Sequence, residues 1–593
     1  MIGLLSATAA GAAARDRLAA AWPDRTRVYP GPSLKEAAAR AFAECDGLVC
    51  FLAAGATVRL LAPLLGDKAA DPGVVCVDEA QQHAVALLGG HAGGANALAR
   101  EVSAVLPGCR PVITTATDAA GLPGLDTLGW RVEGAVPAVT RAMLDGAPVA
   151  LRADACWPLP ALPPNVRETA AGSDEESLAG HAARDAPYGA PAPAATLRIT
   201  DRTVPAGPEL AVLRPPSLAV GVGASRGVSA DELLDAVEQA LAGAELAPGS
   251  VAVLATVDAK AGEPGLLEAA DRLGVPVRTY PAEALSAVPV PNPSAAPRAA
   301  VGTPSVAEAA ALLAAGAPEG GAGLLVPKTR SVPRNGGAAM ATVAVARRRA
   351  RGRLAVVGLG PGARDLLTPR AREELQRASV VVGLDQYVAQ IRDLLRPGTR
   401  VAESGLGAEE ERARTAVAEA RAGRAVALIG SGDAGVYAMA SPALAQASAD
   451  VDVVGVPGVT AALAASAALG APLGHDHAAI SLSDLHTPWE VIERRVRAAA
   501  AADFVVTFYN PRSRGRDWQL PKALGILAEH RAPDTPVGVA RAVGRPGEHV
   551  VVSTLAELAP EQVDMMTVVT VGNTATRTVA GRMVTPRGYR WQQ

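Results

Sequence analysis

The chain has 593 residues, with 60 glycines, 47 prolines and a formal net charge of −3. This length exceeds what a single hydrophobic core supports, so several domains are expected. The hydrophobic content of 49% excludes global disorder, and the small net charge excludes a general electrostatic attraction to nucleic acid or to a membrane surface.

The opening stretch MIGLLSAT predicts a first βα unit, because no basic leader precedes its short apolar run. No run of about 18 uncharged apolar residues follows it, so no membrane span is expected. The five cysteines form no CxxC pair, and their odd number favours free thiols in a reducing compartment. We therefore expect a cytoplasmic protein.

The pattern of strands and helices predicts an α/β fold throughout, in five regions. Residues 1–120 alternate apolar strands such as VVCVDE with Ala/Leu-rich helices, which is typical of a parallel α/β domain. Residues 121–214 are rich in proline and predict an irregular middle region. A second α/β domain is expected at 215–346, a basic linker at 347–353, and a final α/β domain at 354–593.

Two glycine-rich loops follow strands of the last region, at LAVVGLGPGA and VALIGSGDAG. In the first loop, Gly358, Gly360 and Ala363 satisfy the loose dinucleotide pattern, and Asp385 follows the next strand. A nicotinamide-dependent oxidoreductase is therefore one interpretation. A pair of such loops, however, can close on an adenosyl ligand from both sides, which argues for a different class of enzyme.

The last region contains six motif segments, each present once and in this order: GLGPG, VGLDQYV, GSGDAGVYAMA, GVPGVTAALAASA, FVVTFYNPRS and TVVTVGNTAT. Together they resemble the tetrapyrrole methylases of corrin biosynthesis, and among these the precorrin-3B C(17)-methyltransferases, also called cobalt-factor III methyltransferases. The resemblance implies a two-subdomain class III methyltransferase fold that forms a homodimer and uses S-adenosylmethionine as methyl donor. Such an enzyme contributes mainly by positioning its reactants.

The same resemblance implies which residues contact the cofactor. Glycines in the two loops would admit the ligand close to the backbone. The implied positions are Gly358, Gly360, Pro361, Gly362, Ser431, Gly432, Asp433, Val436, Thr460, Ala461, Asn510 and Gly572.

The acceptor implied by the resemblance is an anionic tetrapyrrole, methylated at carbon 17 as its ring contracts. Contraction needs a base, for which Asp385 and His477 are candidates, and Arg512 is a candidate partner for a substrate carboxylate. The segment GHDHAAISLSDLH holds three histidines at irregular spacing, so no metal site is predicted, and ordinary loop histidines remain an alternative.

In the first region, GGHAGGAN places His91 between two glycine pairs, before a helix that begins near Asn96. The glycines permit a ligand to approach, and the helix N-terminus offers N–H groups to an anion. A tight structural turn capped by Asn96 explains the same pattern equally well.

These motifs resemble the cobalt-precorrin-5A hydrolases (the CbiG family), whose second domain is matched by RPPSLAVGVGASRGVS and ATVDAKAGEPGLLEAA. The resemblance implies hydrolysis of a lactone with release of acetaldehyde, which needs a base and donors for an oxyanion. Candidate bases are His91 and Glu79, and candidate donors or substrate contacts are Arg59, Lys68 and Arg226. Lys260 and Glu263 are further catalytic candidates at a strand end, although a surface ion pair is the competing interpretation.

The leading hypothesis is a bifunctional enzyme of cobalamin biosynthesis that acts on large tetrapyrroles, with cobalt present only as part of a substrate. An alternative keeps the methyltransferase and makes the first half a non-catalytic corrinoid-binding module. Neither hypothesis involves a nucleic-acid or membrane partner.

Overall fold

The computed structural model describes residues 1–31, 33–67, 70–91, 93–169, 192–316, 323–333, 336–447, 449–513 and 515–589. The chain forms two compact units: the first comprises Met1–Ala155 and Leu162–Ala350, and the second comprises Cys156–Ala161 and Arg351–Gln593. Within the described part of the chain, no helix combines the length and the apolar character needed to cross a membrane.

The first unit opens with a six-stranded sheet in the order β2-β1-β3-β4-β5-β6. Its strands are β1 (Ile2–Ser6), β2 (Thr26–Val28), β3 (Gly47–Phe51), β4 (Gly73–Val77), β5 (His83–Leu88) and β6 (Arg110–Val112). Its helices are α1 (Ala9–Ala21), α2 (Leu34–Glu44), α3 (Ala54–Leu61), α4 (Ala95–Val105) and α5 (Ala116–Ala119). Helices α1 and α4 pack on one face of the sheet, and α2 and α3 on the other.

Two strands of this sheet, β5 and β6, run opposite to the other four. Strand β5 pairs antiparallel with β4, so that Val77 lies opposite Ala84 and Val74 lies opposite Leu88. The predicted all-parallel sheet is therefore mixed. As a consequence, the residues after β5 lie at the edge where β4 begins, about 13 Å from the edge where β1, β3 and β4 end.

A five-stranded sheet occupies the region predicted to be irregular, in the order β7-β11-β10-β8-β9. Its strands are β7 (Arg131–Gly134), β8 (Val149–Ala153), β9 (Val166–Glu168), β10 (Ala195–Ile199) and β11 (Leu210–Arg214), and α6 (Val136–Leu144) packs on them. For the described residues of 121–214, the prediction was wrong. The strands have three to five residues each and are separated by proline-rich connections, which hide their short alternating patterns.

The third sheet of this unit has the order β14-β13-β12-β16-β15. Its strands are β12 (Leu218–Ala224), β13 (Val251–Val257), β14 (Val277–Tyr280), β15 (Leu324–Arg330) and β16 (Ala341–Arg347). Its helices are α7 (Ala230–Ala242), α8 (Pro264–Leu273), α9 (Ala282–Ser286), α10 (Ala295–Val301) and α11 (Ala307–Ala314). Strands β12, β13 and β14 are parallel, and helices cover both faces.

Both ends of the basic run at 347–353, which was predicted to be a linker, belong to strands. Arg347 ends β16, and its guanidinium donates to both carboxylate oxygens of the buried Asp201 at 2.8 and 2.9 Å. Arg353 opens the next strand and donates to the buried Glu374 at 2.6 Å. The arginines at the two ends of this run therefore pair with buried carboxylates, in addition to any role of the run as a connection.

The second unit begins with a parallel five-stranded sheet in the order β19-β18-β20-β17-β21. Its strands are β17 (Arg353–Gly358), β18 (Val380–Leu384), β19 (Arg400–Ser404), β20 (Ala425–Gly430) and β21 (Asp452–Val456). Its helices are α12 (Pro369–Arg377), α13 (Asp385–Ile391), α14 (Glu409–Arg421) and α15 (Ala440–Gln446). Helices α12 and α13 cover one face, and α14 and α15 the other.

A second, mixed sheet follows in the order β23-β24-β27-β25-β26, beside a small sheet β22-β29-β28. The strands are β22 (Gly470–Ala471), β23 (His477–Ser481), β24 (Val505–Tyr509), β25 (Pro536–Arg541), β26 (His549–Thr554), β27 (Thr567–Val571), β28 (Arg577–Val579) and β29 (Arg582–Val584). The helices are α16 (Ala461–Leu469), α17 (Trp489–Ala501) and α18 (Gln519–Ala528). The predicted two-subdomain α/β architecture of this unit is confirmed.

Candidate functional site

A cavity of about 280 Å³ lies in the second unit, at the carboxyl ends of strands β18, β20 and β24. This is where parallel α/β sheets commonly bind ligands. Loops of the first subdomain supply Pro361 and residues 430–432, and the second subdomain supplies Tyr509, Asn510 and Arg545. The cavity is therefore built by both subdomains.

The two glycine-rich loops cross at the floor of this cavity. Gly360 and Gly432 exchange two backbone hydrogen bonds, of 3.0 and 2.8 Å. A Cβ atom on Gly358 would lie only 2.7 Å from the carbonyl oxygen of Gly432 and 2.8 Å from the amide nitrogen of Gly458. Glycine is therefore required at 358, because the loops are in backbone contact there.

Asp433, in the second glycine-rich loop, holds that loop in place by accepting hydrogen bonds from two backbone amides. Its Oδ1 accepts the amide of Gly435 at 2.8 Å, and its Oδ2 accepts the amide of Gly458 at 3.0 Å. The carboxylate thus joins the loop after β20 to the loop after β21, and it is oriented by two backbone donors rather than toward a ligand.

Replacing Asp433 by alanine would leave both amides without this acceptor, at a cost of about 1–3 kcal/mol. We expect Asp433→Ala to weaken binding of S-adenosylhomocysteine, the product of the methyl donor that the sequence resemblance implies, about tenfold or more, as measured by titration calorimetry. Asp433→Asn keeps one acceptor oxygen and should lose less. Equal affinity of the alanine variant and the unaltered chain would contradict this role.

Tyr509 and Asn510 form the opposite wall. The Tyr509 hydroxyl lies 2.7 Å from the hydroxyl of Thr460 and accepts the amide of Ala462 at 3.1 Å. Asn510 has a φ of 49°, and its side-chain amide donates to Ser481 at 3.2 Å. These bonds fix the start of helix α16 against the end of strand β24, so this wall is rigid.

The lining of the cavity combines apolar side chains with hydroxyl groups. Leu384, Ile429 and Val568 offer apolar surface, and Ser431 and Thr460 offer hydroxyl groups. A Cβ atom on Gly430 would have one protein atom within 4 Å, the Cβ of Ala438 at 3.8 Å. A side chain at 430 would therefore occupy the cavity rather than the surrounding protein.

The structure divides the twelve predicted cofactor residues into two groups. Those that line the cavity are Pro361, Ser431, Gly432, Val436, Thr460, Ala461 and Asn510. Those behind its wall, which shape the loops, are Gly358, Gly360, Gly362, Asp433 and Gly572. A Cβ atom on Gly572 would lie 2.6 Å from the Cβ of Thr576, so that glycine serves packing.

Two arginines of the cavity were missed by sequence reasoning. Arg545 lies on the turn after β25, and Arg412 lies on α14. Arg412 is buried and donates to the Gly405 carbonyl at 2.7 Å and to Glu409 at 2.9 Å. No local pattern marks either arginine, because their neighbours in the cavity come from distant parts of the chain.

The predicted bases and the predicted substrate arginine have different positions. Asp385 is exposed at the first residue of α13, between the cavity residues Leu384 and Tyr387. His477 begins β23, four residues before Ser481, which pairs with Tyr509, so it lies at the far end of that strand from the cavity. Arg512 donates to the Pro560 carbonyl and does not line the cavity. The positions of His477 and Arg512 do not support the predicted roles.

In the first unit, His91 faces a polar cluster after strand β5. Its Nε2 lies 2.6 Å from the hydroxyl of Thr117 and 3.4 Å from Oδ2 of Asp118. Asp118 also accepts hydrogen bonds from Thr115, Asn96 and Arg100. Burial alone would raise the pKa of the Asp118 carboxyl, but the bonds from Thr115 and Arg100 outweigh it and hold that pKa below its ordinary value.

The backbone bonds at the start of helix α4 favour the structural-turn interpretation of the segment around His91 over the anion-site interpretation. The carbonyls of Gly89 and Gly90 accept the amides of Ala95 and Asn96, so these N–H groups are already bonded. Asn96 is not the cap, because its side-chain amide donates to Thr115 and Asp118, both at 3.0 Å. Its Oδ1 is buried without a hydrogen-bond partner among the described residues.

The other candidates near His91 in sequence lie elsewhere. Glu79 accepts the hydroxyl of Thr8 at 2.8 Å, at the edge where β1 and β4 end. Arg59 is exposed on α3 and donates to the Gly55 carbonyl. Lys68 lies outside the described residues. Because His91 follows the antiparallel β5, it and Glu79 belong to opposite edges of the sheet and cannot share one site.

Lys260 and Glu263 form an ion pair after strand β13. The ammonium donates to Glu263 at 3.0 Å, the other Glu263 oxygen accepts the amide of Gly227 at 2.7 Å, and Glu263 is buried. The bond from the Gly227 amide and then the bond from Lys260, with a smaller effect of the exposed Arg226, hold the pKa of Glu263 below its ordinary value. The carboxylate closes the β12–α7 loop, which favours the ion-pair interpretation over a catalytic role.

A lowered carboxyl pKa in the folded state adds stability above the unfolded pKa, and this is lost as pH falls through the folded value. We therefore expect Glu263→Gln to lower the midpoint of thermal unfolding at pH 7, and the difference from the unaltered chain to shrink below about pH 4. Glu268→Gln, at an exposed ion pair of helix α8, which begins directly after Glu263, is the control. A difference independent of pH would contradict this account.

The second unit is similar in sequence to a known family of enzymes. Residues 353–559 match the family model "Tetrapyrrole (Corrin/Porphyrin) Methylases". The probable cobalt-factor III C(17)-methyltransferase of Salmonella typhimurium is 47% identical over 239 residues, which are 40% of this chain and 99% of that protein. This chain belongs to the tetrapyrrole methylases. The nicotinamide-dependent oxidoreductase interpretation is therefore withdrawn.

Other matches extend the description of this tetrapyrrole methylase. The precorrin-3B C(17)-methyltransferase of Sinorhizobium sp is 42% identical over 40% of this chain and 97% of its own. The crystal structure of the methyltransferase CobJ covers 40% of this chain and all of its own, at 44% identity and a TM-score of 0.38. In the first unit, residues 36–118 match the model "Cobalamin synthesis G N-terminal" and residues 218–346 match "Cobalamin synthesis G C-terminus". The predicted fusion is confirmed.

Proposed function

We propose that the second unit transfers a methyl group from S-adenosylmethionine to carbon 17 of precorrin-3B or cobalt-factor III, coupled to contraction of the macrocycle. The observation that carries this proposal is the pair of glycine-rich loops crossing at Gly360 and Gly432 on the cavity floor. The similarity to a probable cobalt-factor III C(17)-methyltransferase and to a precorrin-3B C(17)-methyltransferase supports the acceptor and the position of methylation.

Ser431, Thr460 and Asn510 would hold the cofactor, and the apolar wall formed by Leu384, Ile429 and Val568 would exclude water from it. When bound, the cofactor supplies an electrophilic methyl group and departs as S-adenosylhomocysteine. The protein then needs no nucleophile of its own, and its contribution is orientation. Of the two bases proposed for contraction, Asp385 has the better support: it does not itself line the cavity, but it lies in the chain between Leu384 and Tyr387, which do. We also propose a homodimer formed through this unit.

We propose hydrolysis of the cobalt-precorrin-5A lactone as the activity of the first unit, with His91 as general base. The contact of His91 Nε2 with Thr117 and Asp118 favours it. With the Nε2 proton directed at this pair, the Nδ1 lone pair accepts a proton from water, and the carboxylate stabilises the resulting imidazolium. Water then adds to the lactone carbonyl, and the ring oxygen leaves as an alkoxide.

The carbon that carries this alkoxide departs as acetaldehyde. Its carbon–carbon bond to the macrocycle breaks, the electron pair stays on the macrocycle, and a proton is taken up there. The second hypothesis, a non-catalytic corrinoid-binding unit, is favoured by the closed glycine turn, whose first helical amides are already bonded.

Two incubations of the full chain test the two proposed activities. The full chain is incubated with the trimethylated precursor and methyl-labelled S-adenosylmethionine, with and without cobalt in the macrocycle, and products are analysed by mass spectrometry. A labelled, ring-contracted product is expected from the second unit. Incubation with cobalt-precorrin-5A should release acetaldehyde; binding of this compound without release would favour the corrinoid-binding hypothesis. Failure to bind S-adenosylmethionine at millimolar concentration would refute the methyltransferase proposal.

A further inference from the structure

Arg545 lies on a rigid turn between strands β25 and β26. Its amide donates to the Ala542 carbonyl at 2.9 Å, and the amide of Glu548 donates to the Arg545 carbonyl at 3.1 Å. The Glu548 carboxylate accepts the amide of Gly544 at 2.7 Å, which ties the turn to itself. The backbone that carries Arg545 is therefore fixed.

From this turn the guanidinium reaches both glycine-rich loops. Its Nε donates to the Pro361 carbonyl at 2.6 Å, and its Nη2 donates to the Ser431 hydroxyl at 2.9 Å. A Cβ atom on Gly362 would lie 2.5 Å from Cγ of Arg545, so the side chain crosses directly over that glycine. Arg545 thus links the second subdomain to both loops of the first.

Three N–H groups of this guanidinium remain after these two bonds, since arginine carries five. The other cavity arginine, Arg412, is paired with Glu409 at 2.9 Å. Arg545 lines the same cavity, and within the described part of the chain its two side-chain hydrogen bonds go to neutral oxygens and it forms no ion pair with a carboxylate. Of the two arginines that line the cavity, Arg545 is therefore the one whose guanidinium is not paired with a carboxylate of the described residues.

We infer that Arg545 anchors a carboxylate of a ligand bound in this cavity and positions that ligand against the two glycine-rich loops. A guanidinium held by neutral acceptors matches a carboxylate in charge and in geometry. This inference rests on the proposed function, which supplies two sources of a carboxylate: the amino-acid part of the methyl donor and the acidic side chains of the macrocycle.

The test measures both sources on the full-length protein. Binding of S-adenosylhomocysteine is followed by titration calorimetry at low and high salt, and KM and kcat for the tetrapyrrole are followed with labelled methyl donor. The variants are Arg545→Ala and Arg545→Lys. The matched control is Arg541→Ala, which removes an arginine of the same hairpin that pairs with Asp564 and does not line the cavity.

We expect Arg545→Ala to raise either the Kd of S-adenosylhomocysteine or the KM of the acceptor by about 10- to 100-fold. Whichever of the two constants rises in Arg545→Ala should no longer depend on salt concentration in that variant. Arg545→Lys should restore part of the lost affinity. In Arg541→Ala, both constants should stay within about twofold of the values for the unaltered protein. A change in Kd identifies the donor carboxylate, and a change in KM alone identifies an acceptor carboxylate.

The inference would be overturned if Arg545→Ala left both the Kd of S-adenosylhomocysteine and the KM of the acceptor within twofold of the unaltered protein. It would also be overturned if Arg541→Ala caused an equal loss. If Arg545→Ala fails to fold, as shown by circular dichroism, Arg545→Lys decides, because it keeps the charge but changes the donor geometry. If the unaltered chain does not bind S-adenosylhomocysteine, the proposed function itself fails, which is a distinct result.

Discussion

Gly430→Leu is expected to abolish cofactor binding without unfolding the second unit. Gly430 ends strand β20 and lines the cavity, and a Cβ atom there would meet only the Cβ of Ala438, at 3.8 Å, within 4 Å. A leucine side chain would therefore fill space that the proposed ligand needs. We expect the Kd of S-adenosylhomocysteine to rise by more than about 100-fold, equivalent to about 2.8 kcal/mol, and methyl transfer to fall in parallel.

The matched control for this prediction is Gly455→Leu, on strand β21 of the same sheet. Gly455 is exposed, and no atom lies within 4 Å of the position its Cβ would take. This variant carries the same change of residue type outside the cavity, so it should bind normally. Normal binding by Gly430→Leu, or equal losses in both variants, would show that the cavity is not the cofactor site.

His91→Gln is expected to stop acetaldehyde release and to leave methyl transfer unchanged. Glutamine keeps a polar group near Thr117 but has no basic nitrogen to take a proton from water. Because a positioned general base contributes about 10²- to 10⁴-fold, we expect a loss in that range. The measurement is the rate of acetaldehyde release from cobalt-precorrin-5A, with incorporation of labelled methyl as the internal reference.

The control for this loss is His83→Gln. His83 is also in the first sheet, but it is exposed and lies 3.9 Å from Asp78, at the other edge. Unchanged release by His91→Gln would remove His91 from the proposed hydrolysis. Equal loss in both variants would indicate general damage to the sheet.

The methylase cavity was predictable from the sequence to the extent that it is formed by contiguous motifs. Pro361, Ser431, Thr460 and Asn510 each lie in a segment whose order along the chain carries the resemblance, and all of them line the cavity. Arg545 was not predictable, because its partners lie 114 and 184 residues away and no local pattern encodes such contacts.

The first unit shows a different limit. His91 and Glu79 are close in sequence and are alternative candidate bases for one reaction, yet the antiparallel pairing of β5 with β4 places them at opposite edges of the sheet. Local periodicity predicts that a segment is a strand, but not the direction in which it joins a sheet. The middle sheet escaped prediction for a related reason, since its short strands depend on pairing with distant segments.

The crossing of Arg545 over Gly362 makes these two positions interdependent. Any side chain at 362 would occupy the path of the Arg545 methylene groups, so each residue restricts what the other can be. Among related enzymes, we expect a residue larger than glycine at position 362 to occur together with a residue at position 545 whose side chain is shorter or takes another path. Paired exchange at both sites should then preserve function better than either exchange alone.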